Sequence, residues 1–450
     1  MERKWVWKFL ALLLPPLILA QSPQAAAQVA LPNVRLPNLS GGLPATGLPL
    51  NGDRALSALS DDLDPRRLED LRRLHVLDLI RKNPKEIEAD PNGAPILRGE
   101  VVAFSPSDAA LEKARAAGFA VLRERVLDGL DARLVVLKAP DGIATRRALR
   151  QLKGLDPEGV YDFSHLYTDS GEVLASGVAG ELRVALGENT TLAGTGTKIG
   201  LVDGGVDTSH DVFRDIVIHQ HGCSGAPVPA AHGTAVASLM IGRSLRFHGA
   251  APGSDLYAAD VYCGLPTGGA VDAVADALAW LVREHVPVIN VSLVGPPNTM
   301  LENVVRLVIA RGHVVVAAVG NDGPAAPPLY PASYPDVVGV TAVDAHQRVL
   351  LEACRGRQVK FSAPGADMSA ANPAQNYVVV RGTSFASPIV AGLLAEAVRE
   401  PDKAAAQRAV ADLAAHAIDL GAPGPDPVYG FGLVGGDLRP ELALVGSRAN

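Results

Sequence analysis

The chain has 450 residues, 48% of them hydrophobic and 20% charged, so it can bury a large core and form about three compact units of roughly 150 residues each. Its formal net charge of −7 leaves no excess of positive charge for a nucleic-acid surface. We therefore expect no nucleic-acid partner.

Residues 1–27 have the pattern of a secretory signal peptide. Three basic residues open the chain, residues 9–20 are apolar, and alanines at 25–27 provide a small-residue cleavage site. The alternative is a membrane anchor, but this apolar run is too short for a hydrocarbon core of ~30 Å. We expect that the signal is removed, that no stable membrane anchor remains, and that the protein is exported to the periplasm or the medium.

Two segments precede the first predicted domain. Residues 28–63 are rich in proline, glycine, leucine and asparagine without a period, which is typical of a flexible leader. A helix then begins at Asp64 and Pro65, continues with leucines at helical spacing, and ends before Pro84. We interpret residues 64–98 as a helical packing segment.

Residues 99–167 alternate short strands and helices. The strands are predicted at 99–104, 119–126, 132–138 and 159–163, and the helices at 107–117 and 145–153. This β-α-β-β-α-β order predicts a small α+β domain of the split βαβ type. The segment has too few cysteines, histidines and clustered acids to form an active site of its own.

Apolar strands alternate with helices through most of residues 170–445. The strands are predicted at 198–202, 255–261, 286–292, 313–319 and 337–342. This alternation predicts an α/β domain with a doubly wound, mostly parallel sheet flanked by helices. Functional groups gather at the carboxyl ends of the strands in such sheets, which is where Asp203 and Asn321 lie.

Three short motifs supply the groups of a catalytic triad. Asp203 precedes two glycines, His232 precedes Gly-Thr at the start of an apolar helix, and Ser384 follows Gly-Thr at the start of another. Singly, they are explained as a turn aspartate, a structural histidine and a helix N-cap. Together they provide a nucleophile, a proton acceptor and a carboxylate that orients the acceptor, which indicates a serine peptidase.

These motifs resemble those of the subtilisin-like serine peptidases, the subtilase family. The resemblance extends over residues 196–445 through four further stretches, at 290–295, 314–323, 330–335 and 429–433. It implies a serine endopeptidase that acts through an acyl-enzyme, with Ser384 as nucleophile, His232 as general base and Asp203 as its partner. It also implies an oxyanion hole formed by the Asn321 side chain and the Ser384 N–H. The alternative is a catalytically inactive relative that binds peptides in the same cleft.

The resemblance also assigns the residues that contact the substrate, which are Ser292, Leu293, Val294, Gly295 and Gly320. They are expected to lie beside an extended peptide that pairs with the enzyme as an added strand. The family usually has glycine where Val294 stands, so this side chain either narrows the primary pocket or faces away from it.

Residues 99–167 resemble the inhibitory propeptides of the same family. The resemblance implies a self-inhibited precursor whose own propeptide is a partner, with residues 162–167 in the substrate cleft and self-cleavage near residues 167–170. Protein or peptide substrates would follow after release. The alternative is an accessory domain that stays attached.

The chain has three cysteines. Cys223 and Cys263 could form a disulfide beside the active site and leave Cys354 outside it, or all three could be reduced thiols. The count does not suit a zinc site, and residues 242–249 offer few oxygen ligands for calcium. We expect no metal and no cofactor.

Overall fold

The computed structural model describes residues 65–174, 196–244, 247–373 and 375–440. The predicted signal peptide and leader lie outside the described residues, and so does Asp64. All described residues belong to one compact unit, Leu56–Asn450. Within these ranges, no helix combines the length and apolar character needed to cross a bilayer.

The N-terminal part is an antiparallel sheet packed against helices. Its elements are α1 (Pro65–Lys82), β1 (Ile87–Ala89), β2 (Pro95–Phe104), α2 (Asp108–Ala116), β3 (Ala120–Leu127), β4 (Ala132–Lys138), α3 (Thr145–Leu155) and β5 (Val160–His165). The five strands are ordered β1-β2-β4-β3, with β5 also paired to β2. The Ser107 side chain caps α2 by accepting from the Ala110 N–H at 3.1 Å. The predicted order of elements is present from β2 onward.

The sequence-based boundary at residue 99 falls inside β2. Gly99 has a φ of 73° and lies within a register shift between β2 and β5, so it is not at the start of the strand. The strand begins at Pro95, and β1 pairs with its first residues. Part of the segment predicted as a separate helical unit is therefore in the sheet.

The C-terminal part contains a parallel sheet of seven strands. Its long elements are β8 (Lys198–Asp203), β9 (Ile218–Gly222), α4 (Ala231–Ile241), β10 (Asp255–Asp260), α5 (Val271–Arg283), β11 (Val288–Val291), α6 (Thr299–Ala310), β13 (Val314–Ala318), β14 (Val338–Val343), β15 (Val359–Pro364), α7 (Thr383–Ala397) and α8 (Lys403–His416). The strand order is β15-β14-β13-β11-β8-β10-β9, and every pair is parallel.

Both faces of this sheet are covered by helices. On β8, Leu201 packs into the apolar cluster that includes α4 and α7, whereas the next residue, Val202, packs into the cluster that includes α5 and α6. Alternation along a strand sends successive side chains to opposite faces, so the two clusters lie on opposite faces. The predicted doubly wound α/β fold is confirmed.

Two small antiparallel sheets join the N-terminal part to the C-terminal part. In the first, β6 (Thr168–Asp169) pairs with β12 (Leu293–Val294). In the second, β7 (Glu172–Leu174) pairs with β17 (Asn376–Arg381), which also pairs with β16 (Met368–Asn372). The chain between β5 and residue 174 therefore crosses the C-terminal part as an extended strand.

Candidate active site

Asp203 and His232 form a buried hydrogen-bonded pair. Asp203 is the last residue of β8, and His232 is the second residue of α4. The His232 Nδ1 atom lies 2.9 Å from both carboxylate oxygens of Asp203. The Gly204 N–H donates to Asp203 Oδ1 at 2.6 Å, which fixes the carboxylate.

Burial and charge act in opposite directions on this pair. Burial lowers the pKa of His232, but the charge and hydrogen bond of Asp203 outweigh it and raise the pKa to about 9. Burial raises the pKa of Asp203, and the His232 charge and the Gly204 N–H oppose this effect. The paired carboxylate thus stabilises the protonated imidazole.

The Ser384 hydroxyl contacts residue 170 of the same chain. Ser384 is fully buried near the N-terminus of α7. Its Oγ lies 2.8 Å from the Ser170 Oγ, accepts from the Ser170 N–H at 3.2 Å, and donates to the Ser292 carbonyl oxygen at 3.3 Å. The His232 Nε2 atom is buried and makes no hydrogen bond among the described residues. The structure therefore shows the Asp203–His232 hydrogen bond but not one between His232 and Ser384.

Two donors converge on the Ser170 carbonyl oxygen. The Asn321 Nδ2 donates to it at 2.5 Å, and the Ser384 N–H donates at 3.2 Å. The Thr383 N–H donates to Asn321 Oδ1 at 3.1 Å and so orients the amide. This pair of N–H groups is the arrangement that stabilises negative charge on a carbonyl oxygen under attack.

Gly382 is required by this close approach. Its φ is 136°, and a Cβ at this position would lie 2.6 Å from Asn321 Nδ2 and 2.7 Å from the Gly171 Cα. Only glycine leaves room for the peptide that carries the Ser170 carbonyl.

The predicted substrate-contacting residues lie along this peptide. Leu293 pairs with Asp169, and Val294 pairs with Thr168. Ser292, Leu293 and Val294 are fully buried. On the opposite side, the Tyr167 N–H donates to the Gly269 carbonyl oxygen at 2.8 Å. The chain is thus held between two edges, and the second edge, at Gly269, was not predicted from sequence.

The Tyr167 side chain is fully buried. It is 0% exposed, and its hydroxyl donates to the Pro296 carbonyl oxygen at 2.9 Å. Its ring covers Gly295, where a Cβ would lie 2.5 Å from the ring. Gly295 therefore contributes to the cleft by leaving room for an aromatic side chain.

Gly320 has two structural reasons to be glycine. Its φ is 100°, and a Cβ would lie 2.4 Å from Leu329 Cδ1. Its N–H donates to Thr383 Oγ1 at 3.1 Å, which connects the end of β13 to the N-terminus of α7. Because Gly320 precedes Asn321 and Thr383 precedes Ser384, this contact fixes the position of Asn321 relative to Ser384.

Cys223 and Cys263 form a disulfide with a Cα–Cα distance of 5.2 Å, and Cys354 is buried outside it. Asp260 lies close enough to both sulfurs to complete a three-ligand group. However, both sulfurs are bonded to each other, and the Asp260 oxygens accept from the N–H groups of Cys263 and Val228 at 2.9 and 2.8 Å. This donor set does not suit a metal ion.

Comparison with known proteins shows which family the C-terminal part resembles. Residues 194–432, just over half of the chain, match the model of the subtilase family. Subtilisin BL of Lederbergia lenta is 34% identical over 211 residues, which cover 46% of this chain and 78% of that protein. Subtilisin E of Bacillus subtilis (strain 168) is 29% identical over 263 residues, which cover 55% of this chain and 67% of that protein.

For some relatives, this chain matches a smaller share of their length. The match to M-protease of Shouchella clausii (strain KSM-K16), at 34% identity, spans 46% of this chain and 55% of that protein. Among solved structures, fervidolysin from Fervidobacterium pennivorans, described as a keratinolytic enzyme related to subtilisin, has a TM-score of 0.61 at 20% identity. That likeness covers 76% of this chain and 61% of fervidolysin, and it bears on the fold. Family match, identity and fold agree: the chain belongs to the subtilase family of serine-type endopeptidases.

Proposed function

We propose that the chain is the precursor of a serine endopeptidase that first cleaves its own Ser170–Gly171 bond and then cleaves protein or peptide substrates. The observation that carries the proposal is the Ser170 carbonyl oxygen, which accepts from both Asn321 Nδ2 and the Ser384 N–H. The residue that precedes the bond is thereby presented to the nucleophile.

The chemistry follows from the positions of the side chains. The Ser384 oxygen attacks the Ser170 carbonyl carbon, and its proton passes to His232 Nε2, while Asp203 stabilises the imidazolium. The C–N bond then breaks, and the amine of Gly171 leaves with the proton from His232. A water activated by the neutral imidazole hydrolyses the acyl-enzyme in the same way.

One rearrangement has to precede attack. The Ser384 hydroxyl donates to the Ser292 carbonyl oxygen in this structure, whereas His232 Nε2 has no hydrogen-bond partner within the described parts of the chain. A rotation of the serine side chain towards the imidazole supplies the missing contact. In the proposed sequence of events, the Ser170 carbonyl oxygen is bound by Asn321 and Ser384 before the imidazole engages the serine hydroxyl.

The N-terminal part would remain an inhibitor after cleavage. The pairing of Thr168 and Asp169 with β12, and the buried Tyr167, do not depend on the bond that is cut. The new end at Ser170 would therefore stay in the cleft until the N-terminal part is released. This extends the inhibitory segment to Ser170, three residues beyond the predicted boundary at residue 167.

Export is part of the proposal. The first 27 residues have the pattern of a signal peptide, and the Cys223–Cys263 disulfide is the kind of bond that persists in an oxidising compartment such as the periplasm or the medium.

The proposal is tested by purifying the full chain after expression with its signal and determining the N-terminus of the active fragment by mass spectrometry. The expected N-terminus is Gly171, and a fluorophosphonate probe is expected to label the fragment but not the Ser384→Ala variant. Active enzyme in which residues 99–153 are still covalently attached would refute the self-processing proposal. Absence of labelling in a folded wild-type chain would favour the inactive peptide-binding alternative.

A further inference from the structure

Gly171, the first residue after the scissile bond, is enclosed on the side where a side chain would project. A Cβ built on Gly171 would lie 2.6 Å from Phe385 Cε2 and 3.2 Å from Phe385 Cζ. It would also lie 3.3 Å from His232 Nε2. Real Cβ atoms do not approach other heavy atoms to 2.6 Å, so a methyl group at this position requires a neighbour to move.

Phe385 has little freedom to move. It follows Ser384 directly on α7, is 0% exposed, and belongs to the apolar cluster between the sheet and α4. Its ring centroid lies 5.2 Å from that of His232, so the ring is enclosed by the imidazole on one side and by the core on the other. Displacing this core side chain should cost as much free energy as inserting an extra methyl group into a well-packed core. If that cost is borne in the transition state, cleavage slows by roughly tenfold to a hundredfold.

The geometry points to Phe385 as a specificity-determining residue that makes the enzyme selective for glycine immediately after the cleaved bond. This inference rests on the proposed function, because it concerns the leaving-group side of the same site. It applies to the Ser170–Gly171 bond and equally to added substrates, since their leaving residue has to occupy the same place between Phe385 and His232.

The expected defect lies in catalysis more than in binding. A methyl group on the leaving residue would press on Phe385 and on the imidazole that gives the leaving amine its proton. The acyl side of the peptide, which pairs with β12, is not disturbed by such a group. A larger leaving residue should therefore lower kcat and leave KM nearly unchanged.

The test uses enzyme obtained by expressing the full chain and letting it process itself, together with decapeptides that have the sequence of residues 165–174. The first has the natural sequence, the second carries Gly171→Ala, and a control carries Thr168→Ala on the acyl side. We expect kcat/KM for the Gly171→Ala peptide to be about tenfold to a hundredfold below that for the natural one, mainly through kcat. We expect the Thr168→Ala control to change it by less than about threefold, because Thr168 is held through its main chain.

The matched enzyme variants are Phe385→Ala and the more conservative Phe385→Leu, of which the second keeps an apolar side chain in the core. In either variant, the ratio of kcat/KM between the natural and the Gly171→Ala peptide should fall to less than about fivefold. Because each ratio is measured on one enzyme preparation, it does not depend on the fraction that is correctly folded.

Two results would overturn the inference while the proposed function stands. These are equal rates of wild-type enzyme on the natural and Gly171→Ala peptides, and a ratio that is unchanged in both Phe385 variants. Failure of wild-type enzyme to cleave any of the peptides would instead refute the proposed function and this inference together.

Discussion

The N-terminal part touches the C-terminal part in two regions that differ in chemistry. The first, which we call the threaded segment, comprises residues 167–174 and is held mainly by strand pairing with β12 and β17. The second, which we call the docking face, is the surface where β3 and β5 meet α5 and α6. Apolar residues such as Leu127 of β3 are buried there in one cluster with residues of α5 and α6, and charged and polar side chains add specific contacts. There, Arg123 donates to Asp272 at 2.7 Å, and the Thr299 N–H donates to Asp162 at 2.7 Å.

Under the proposed function, this difference would let the N-terminal part act both as a substrate and as an inhibitor of the same chain. Main-chain pairing accepts any extended peptide, so the threaded segment presents itself as a substrate would. The docking face depends on particular side chains, such as the Asp162 carboxylate at the N-terminus of α6, that an ordinary substrate does not provide. The threaded segment should therefore govern cleavage, and the docking face should govern how long the cleaved part stays bound.

The largest effect on self-cleavage is expected for Ser384→Ala, which removes the hydroxyl that contacts Ser170 of the threaded segment. The variant should fold but leave the Ser170–Gly171 bond intact, with a rate loss of about a millionfold, the size known for the nucleophile of subtilisin. The measurement is the time course of precursor cleavage by gel and mass spectrometry. The exposed Ser209→Ala serves as a control that should be cleaved normally. Cleavage of Ser384→Ala at this bond would mean that another nucleophile acts.

Asn321→Ala is expected to have the next largest effect. Losing the amide that donates to the Ser170 carbonyl oxygen should slow self-cleavage by about a hundredfold to a thousandfold, the range measured for the corresponding donor in subtilisin. On added peptide, the loss should be in kcat. Asn303→Ala, a partly exposed asparagine on α6, is the matched control. A loss confined to KM would show that Asn321 only binds the peptide.

Self-cleavage should also accelerate with pH. The pKa of His232 is raised to about 9, so the imidazole is mostly protonated at neutral pH and cannot accept the serine proton. The neutral fraction grows about tenfold per pH unit below 9, and the rate should follow it and level off above about pH 9. The measurement is the rate of precursor cleavage between pH 6 and 10.

A charge on the threaded segment provides a control for this pH dependence. Asp169 adds to the rise in the pKa of His232, so Asp169→Asn should move the profile to lower pH. Asp141→Asn, whose side chain is 97% exposed in the N-terminal part, should leave it in place. A rate that is constant or falls between pH 7 and 9 would contradict the assignment of His232 as the base.

Much of the C-terminal fold was predictable because its determinants are local. Strands such as β13 are uniformly apolar, and the functional residues directly follow strands or open helices. The edge strand β9, with the sequence Ile-His-Gln-His-Gly, was not predicted, because it is only half buried and lacks an apolar run. Its pairing with β10 depends on tertiary structure.

The sequence placed the proposed scissile bond only to within a few residues. The end of the predicted β-α-β-β-α-β domain gives an approximate position, residues 167–170, but the register depends on pairing with Val294 and Arg381, which lie more than a hundred residues away. The docking face was not predictable either, because Arg123 and Asp272 are 149 residues apart. Neither residue type is unusual in its own segment.

The smallest of the expected effects tests the docking face with Arg123→Ala. Asp272 is 2% exposed, and burial raises its pKa, but hydrogen bonds and charge from Arg123 and Arg125 lower it overall. Removing Arg123 leaves Asp272 with Arg125 alone, and losing a hydrogen bond to a buried charge costs about 2 kcal/mol. The cleaved N-terminal part should then inhibit about thirtyfold more weakly, whereas self-cleavage, governed by the threaded segment, should keep its rate.

The matched control is Arg133→Ala. Arg133 pairs with Asp108 and Glu124 inside the N-terminal part, so it has the same charge but no ion pair across the docking face. The measurement is the recovery of peptidase activity after cleavage, followed at several concentrations of the cleaved chain. If both arginine variants release the enzyme equally, the ion pair to Asp272 contributes no more than overall charge. If Arg123→Ala also slows self-cleavage, the two regions are coupled, because a docking-face contact would then position the threaded segment for attack.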